Sequence, residues 1–279
     1  MNKSDFDFMA GIIKDSSGLV LGDDKLYLLE SRLTPVAHKY KLESLDALVK
    51  TLRAAPRGPL LAEVVDAMTT NESFFFRDGK PFDAFRNRFL PEVLKRRESA
   101  RSLRIWCAAA STGQEPYSLA MILLEEAAKL QGWNCQILGT DLSKEALARA
   151  ESGLYTHFEV QRGLSIQRLV KFFEKQGDMW QVKPEVRKLV QYRNFNLLQD
   201  PRPLGTFDIV FCRNVLIYFD QPTKARVLKS IASVMDKDAV LLLGGAETVF
   251  GITDIFRAVP EHYGAYVVNV AAPAQRAVG

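Results

Sequence analysis

From Leu103 onward the apolar residues fall into short runs set between helical stretches, and that alternation constrains the chain more than any other feature. The runs span 103–107, 136–140, 207–212 and 239–243. Each is too short for a helix and apolar toward both sides, the pattern of strands buried on both faces in a parallel sheet covered by helices. Helices lie between them. One carries Pro116 near its first turn and Tyr117, Ala120, Met121, Leu124 and Ala128 along one face; another starts at Ser143, a residue suited to an N-cap. A last run, 263–268, reads as a closing strand. The class is α/β.

The first seventy or so residues follow a different, helical spacing. Phe6, Met9, Ile12 and Ile13 recur before Ser16-Ser17-Gly18 ends the segment. A second helix is predicted over 23–40, with Leu26, Leu29, Leu33 and Val36 on one side and Pro35 as a kink or break. A third covers 44–52 with Ser44 as its cap, and a fourth about 60–68. The expected division is an all-helical domain over 1–70, a linker and lid segment over 71–100, and an α/β domain over 101–279. Between Gly153 and Leu197 the alternation fails: a helix at 166–173 precedes two candidate strands, 179–182 and 188–192, joined around Pro184. They are expected to form an antiparallel hairpin within an inserted β-subdomain at about 154–194. Residues 271–279 read as a frayed tail.

Composition narrows the function classes. At 47% hydrophobic and 25% charged residues, the chain can bury a core and is not disordered. No run approaches the roughly 18 apolar residues of a membrane span. Met1-Asn2-Lys3-Ser4-Asp5 lacks the apolar core of a secretory signal, so a cytoplasmic protein with no direct membrane insertion is expected. Cys107, Cys135 and Cys212 are odd in number and sit in apolar runs, as reduced core thiols do; three unpaired histidines complete a composition that offers no metal site. Net charge is +4, and from Arg77 to Arg104 nine Lys/Arg stand against four acids. That stretch is either a solvated face or a surface for an acidic partner.

Ligands of open parallel sheets bind beyond the carboxyl ends of the strands. The first strand is followed there by Ala108-Ala109-Ala110-Ser111-Thr112-Gly113-Gln114-Glu115. Small residues admit a ligand close to the backbone, or else pack a tight strand-to-helix turn. Glu115 at the helix start would repel a pyrophosphate and attract a cation, which turns the reading from a dinucleotide toward a sulfonium or an amine. Asp141 ends the second strand, where α/β nucleotide binders hold ribose hydroxyls; the alternative is an acid favouring the helix behind Ser143. Arg213 and Asn214 follow the third run directly, with Tyr218 four residues beyond Asn214, either at the ligand or in the core. Outside the sheet, Asn71 and Ser73 flank Phe74-Phe75-Phe76 and then Arg77, an aromatic plug between domains or a lid whose arginine reaches an anion.

Three of these segments, 69–77, 108–118 and 212–220, occur together in an order that resembles the chemotaxis receptor glutamate O-methyltransferases, the CheR family. The resemblance covers nearly the whole chain. It implies a Rossmann-like class I methyltransferase sheet with a final antiparallel strand, an inserted antiparallel β-subdomain and an all-helical N-terminal domain. It also implies S-adenosylmethionine as cofactor, S-adenosylhomocysteine as product, and methyl esters of glutamates on the cytoplasmic methylation helices of chemoreceptors. Transferred position by position, the cofactor residues are Asn71, Ser73, Arg77, Glu115, Asp141, Asn196, Leu197, Arg213 and Asn214. Ser73 stands where relatives often have threonine and keeps the hydroxyl. Arg77 and Tyr218 are expected to orient the substrate carboxylate. Some relatives grip a peptide at the receptor's carboxyl terminus through a longer Gly-rich loop than Lys175-Gln176-Gly177-Asp178, so direct recognition of the methylation region is expected here.

Two other readings compete. One is a non-catalytic S-adenosylmethionine sensor or adaptor of the same fold. The other is a nucleic-acid methyltransferase, disfavoured because Arg213-Asn214-Val215-Leu216 stands where base-modifying relatives carry Asn/Asp-Pro-Pro-aromatic; no nucleic-acid partner is expected.

Overall fold

The computed structural model describes residues 1–269; the expected tail at 271–279 lies outside them. Helix α1 (Lys3–Ser17) starts where the Asn2 side chain accepts from the Asp5 N–H, and it stops at Gly18, whose φ of 82° suits only a residue without a Cβ. In α2 (Leu26–Lys39), Pro35 does not end the helix. Val36 and Ala37 are buried beyond it, and that packing outweighs the single bond proline cannot donate. Helix α3 (Leu45–Ala54) is capped by Ser44, and α4 (Pro59–Met68) begins with proline, whose missing donor costs nothing at that position. Together the four bury Met9, Ile13, Leu29, Leu33, Leu48 and Val64 in a core of their own.

Much of the stretch expected as linker is helical. Helix α5 (Lys80–Ala84), a π-helical turn (Phe85–Phe89) and α6 (Leu90–Arg96) press Phe82, Phe85 and Phe89 onto the sheet. Its basic residues largely serve internal ion pairs. Arg86 bonds Glu125 and Glu126, Arg88 bonds Glu92, Arg97 bonds Asp208 and Asp236, and Arg104 donates to the carbonyls of Thr206 and Leu204.

The strands are β1 (Ser102–Cys107), β2 (Asn134–Asp141), β3 (Leu154–Thr156), β4 (Phe173–Gln176), β5 (Met179–Val182), β6 (Val190–Asn194), β7 (Phe207–Cys212), β8 (Met235–Leu243), β9 (Phe256–Ala258) and β10 (Ala265–Val268). Seven of them form one sheet in the order β6-β2-β1-β7-β8-β10-β9, parallel from β6 to β8, with β10 antiparallel to both β8 and β9. Helices α7 (Gln114–Glu125) and α8 (Lys144–Ser152) follow β1 and β2. Alternate residues face opposite cores: Ile105 and Cys107 meet Tyr117 and Leu119 on one side, while Trp106 and Val210 share the other with Leu228 and Ile231.

A second sheet, β3-β5-β4, is antiparallel and carries α9 (His157–Gln161) and α10 (Ile166–Phe172). Here one expectation fails. The partner of β5 is β4, turned at Gly177, whereas 188–192 belongs to β6, which leaves a short helix α11 (Pro184–Arg187) to pair parallel with β2. An edge strand with one face in the core alternates just as a hairpin strand does, and the Phe-Glu-Lys-Gln of β4 has too little apolar character to compete. A final helix, α12 (Gln221–Ala232), joins β7 to β8.

Register decides where chemistry can occur. Cys107 lies opposite Gly139 on one side and Phe211 on the other, and Cys212 opposite Leu243. The loops after β1, β2, β7 and β8 therefore open along one edge.

Candidate functional site

At that edge lies a cleft of about 870 Å³ including its mouth, and every residue proposed from the sequence lines it. The loop after β1 brings Ala108, Ala109 and Ser111. Ser111 is held at φ 49° by its N–H, which donates to Asp141 Oδ2 at 2.8 Å, and its hydroxyl is buried without a hydrogen-bond partner among the described residues. Gly113 answers to packing instead, since a Cβ there would come 2.7 Å from the Tyr192 hydroxyl and 2.9 Å from Ala150 Cβ. Tight packing thus accounts for the glycine, while Ala108, Ala109 and Ser111 line the cleft.

Glu115 is buried in the first turn of α7, and its Oε2 accepts from Arg213 Nη1 at 2.8 Å. Burial pushes its pKa up, against the pull of the guanidinium. The other arm of Arg213 donates to Asp78 Oδ2 at 2.6 Å and to the Arg77 carbonyl at 2.9 Å. Arg213 is thus committed to the protein, fixing Glu115 and drawing the 71–78 segment onto the sheet. Asp141 is likewise raised by burial, with the N–H groups of Ser143 and Ser111 acting against the shift.

Asn196 and Leu197 follow β6. The Asn196 amide donates to the Ser16 carbonyl at 2.6 Å and its Oδ1 accepts from Leu198 N, so this side chain ties the sheet to α1. Asn214 lies at φ 58° just after β7, and Tyr218 sits on a short 3-10 turn (Leu216–Tyr218), its carbonyl accepting from Val20 N at 2.9 Å.

The segment expected as a plug or a lid packs its aromatic centre into the core and lines the cleft with the residues on either side. Phe75 is the plug, fully buried with its ring edge-on to Tyr155 and Phe173 of the insert, and Gly163 packs so tightly on its carbonyl that no Cβ would fit. Asn71 and Ser73 face the cleft, Asn71 donating to Thr69 Oγ1 at 3.0 Å. Arg77 donates to the Glu72 carbonyl at 3.0 Å and lies over the Phe74 ring. Among the described residues no carboxylate pairs with it.

The sequence reading missed two contributions. Ser17 and Leu19 of the helical region line the cleft, beside Phe195 next to Asn196 and Val215 and Phe219 of the 212–220 segment. Glu247, in the loop after β8, collects five backbone N–H groups. An acid directly after an apolar strand, behind Gly244-Gly245, is the signal that could have found it.

The chain matches two family models: one described as the CheR methyltransferase, SAM binding domain, over residues 71–265, and one described as the CheR methyltransferase, all-alpha domain, over residues 4–69. The chain belongs to the CheR methyltransferase family. Among similar relatives, a chemotaxis protein methyltransferase of Pseudomonas putida is 41% identical over 91% of this chain and 94% of its own length. One of Vibrio anguillarum is 43% identical over 88% and 90% respectively, and chemotaxis protein methyltransferase 1 of Pseudomonas aeruginosa is 41% identical over 92% and 94%. This CheR-family protein is an S-adenosylmethionine-dependent methyltransferase of the chemotaxis type. The lining has the chemistry such a cofactor needs, since it sets the buried carboxylates of Glu115 and Asp141, the Arg77 guanidinium and a Ser111 hydroxyl without a hydrogen-bond partner among the described residues around one cleft. No helix among the described residues is long and apolar enough to cross a membrane.

Proposed function

We propose that this CheR-family enzyme methylates glutamate side-chain carboxylates on the cytoplasmic methylation helices of chemoreceptors, working in the cytoplasm. The observation that carries the reading is Arg77: a guanidinium at the cleft, supported on Phe74 and the Glu72 carbonyl, with no acidic partner among the described residues. Such a group selects an anion.

S-adenosylmethionine supplies a sulfonium-bound methyl, so the glutamate O–CH₃ bond forms as the S–CH₃ bond breaks, leaving S-adenosylhomocysteine and no proton to move. A glutamate of pKa about 4.3 is already ionised at neutral pH, so the protein need not provide a base. Its work is to strip water from a weak nucleophile and aim one oxygen, an effect worth about 7–11 kcal/mol in favourable cases. In this reading Arg77 and the Tyr218 hydroxyl hold the substrate carboxylate, Arg77 also being placed to take the cofactor's own carboxylate. Glu115 takes the ammonium, and Asp141 takes the ribose hydroxyls. Leu197 walls the adenine beside Asn196, whose amide is committed to Ser16. Asn71, Ser73 and Asn214 complete the lining, with Arg213 acting through Glu115. The β4–β5 turn at Gly177-Asp178 is short, which supports direct recognition of the methylation region over a tether.

The test is transfer of labelled methyl from S-adenosylmethionine to receptor-containing membranes, followed by mild base. Volatile methanol is expected, and Arg77→Ala should lower kcat/KM by roughly tenfold or more, the loss of a charge-assisted contact. Base-stable label would refute the ester. Cofactor binding without transfer to any receptor would favour a sensor or adaptor.

A further inference from the structure

Glu247 is buried behind the loop that follows β7 and pairs with no cation among the described residues. Its Oε1 accepts from the N–H groups of Val215 at 2.9 Å, Leu216 at 2.7 Å and Ile217 at 3.3 Å. Its Oε2 accepts from Asn214 and Gly244, both at 2.7 Å. Four successive amides can converge on one side chain only because Asn214 turns left-handed at φ 58°, a conformation asparagine tolerates better than most residues. Gly244 is required by the same arrangement: a Cβ there would lie 2.7 Å from Glu247 Oε2 and 2.9 Å from Asn214 N. The carboxylate therefore clamps the loop after β8 to the loop after β7.

That second loop presents Asn214, Val215 and Tyr218 to the cleft. The groups read as gripping the cofactor elsewhere, Glu115, Asp141 and Arg77, make no hydrogen bond to Glu247. We infer that Glu247 is a positioning residue for methyl transfer, holding the Asn214–Tyr218 side of the cleft at the distance the substrate carboxylate requires; this rests on the glutamate-methylation reading above. Without the clamp, four amides lose their acceptor and the turn at Asn214 relaxes, displacing Tyr218 and the Asn214 edge of the cofactor site while leaving the contacts of Glu115, Asp141 and Arg77 in place.

The experiment is steady-state methyl transfer to receptor membranes by wild type, Glu247→Gln and Glu247→Asp, with S-adenosylhomocysteine affinity measured by calorimetry on the same preparations. Glutamine keeps the size but sets an NH₂ against at least one backbone donor. It should lower kcat by about tenfold to a hundredfold while changing cofactor affinity less than about threefold. Aspartate keeps the charge and all acceptors, and should recover part of the loss. Wild-type kcat in Glu247→Gln would overturn the inference. So would a parallel fall of kcat, cofactor affinity and melting temperature in both variants, which marks a merely structural residue. A wild-type enzyme that labels no receptor glutamate would defeat the substrate reading and this inference with it.

Discussion

On the sheet side of the cleft the charged side chains that hold the wall are themselves buried: Arg213 between Glu115 and the more exposed Asp78, Asp141 across the N–H groups of Ser111 and Ser143, and Glu247 beneath Asn214. The helical side reaches the same cleft through Ser17 and Leu19, and its ties are fewer and closer to water. Lys14 pairs with Asp220 at 2.7 Å with about half of the lysine side chain exposed, Val20 N donates to Tyr218 O, and Asn196 reaches Ser16 O. Water can replace the second set of contacts and cannot easily replace the first. A broken surface pair is resolvated, whereas a broken buried pair leaves a charge without compensation. The sheet wall is thus preorganised, and the helical wall is the one that can part to admit a ligand.

The comparison breaks most directly at Arg213. Its side chain is 2% exposed and that of its partner Glu115 is 10% exposed. Arg213→Ala strands Glu115 in the interior and should cost about 3–5 kcal/mol of unfolding free energy by urea titration. The double change with Glu115→Gln should cost less than the sum of the single changes, because it removes the stranded charge. A single-mutant loss below about 1 kcal/mol would mean that the sheet wall is no better fixed than the helical one.

What could be read from the sequence follows the same division. Strands β1, β2, β7 and β8 were legible because burial on both faces leaves apolar runs, and their loops were legible because Glu115, Asp141 and Arg213 are polar residues beside such runs. The convergence of ten residues on one cleft then follows from parallel register, which places successive carboxyl ends at one edge. Contacts between distant segments left no local trace. Nothing near Asn196 announces Ser16, 180 positions away, and nothing near Arg213 announces Asp78. At Pro35, where a kink or break was expected, the helix is not broken, a strong local signal outweighed by tertiary packing. The ion pairs of the basic 77–104 stretch were not legible, because the acids Glu125, Glu126, Asp208 and Asp236 lie outside it.

A gentler probe uses pH. Burial raises the carboxyl groups of Glu115 and Asp141 above their ordinary values near 4.5 and 3.8. Because the folded state holds these protons more tightly than the unfolded one, the two groups cost stability progressively as pH rises from the unfolded values through the folded ones, and the cost is constant above. A bound cation favours the ionised forms. S-adenosylmethionine should therefore bind more weakly as pH falls through the raised values, by at most about tenfold per pH unit for each group, with protons released on binding in that window. Calorimetry in buffers of different ionisation enthalpy should show the release at mildly acidic pH and less of it at neutral pH, where both groups are more fully ionised before binding. Equal affinity at both pH values would separate these carboxylates from the cofactor's charges.

The smallest effect is expected on the helical wall. Lys14→Ala removes one half-exposed ion pair and leaves Asp220 capping α12 through the Thr223 N–H. The melting transition should not move measurably, and cofactor affinity at physiological salt should change less than about twofold. At low salt, where the screening length triples from roughly 10 Å to 30 Å between 0.1 M and 0.01 M, the wild type should hold its helical wall closed more firmly and the variant should lose that gain. Limited proteolysis with and without S-adenosylhomocysteine reads the difference: cleavage between α1 and the sheet should quicken in the variant only without ligand. If cleavage were equally fast with ligand bound, Ser17 and Leu19 would be spectators at the mouth, and the cleft would be closed by the sheet and the Asn71–Arg77 lid alone.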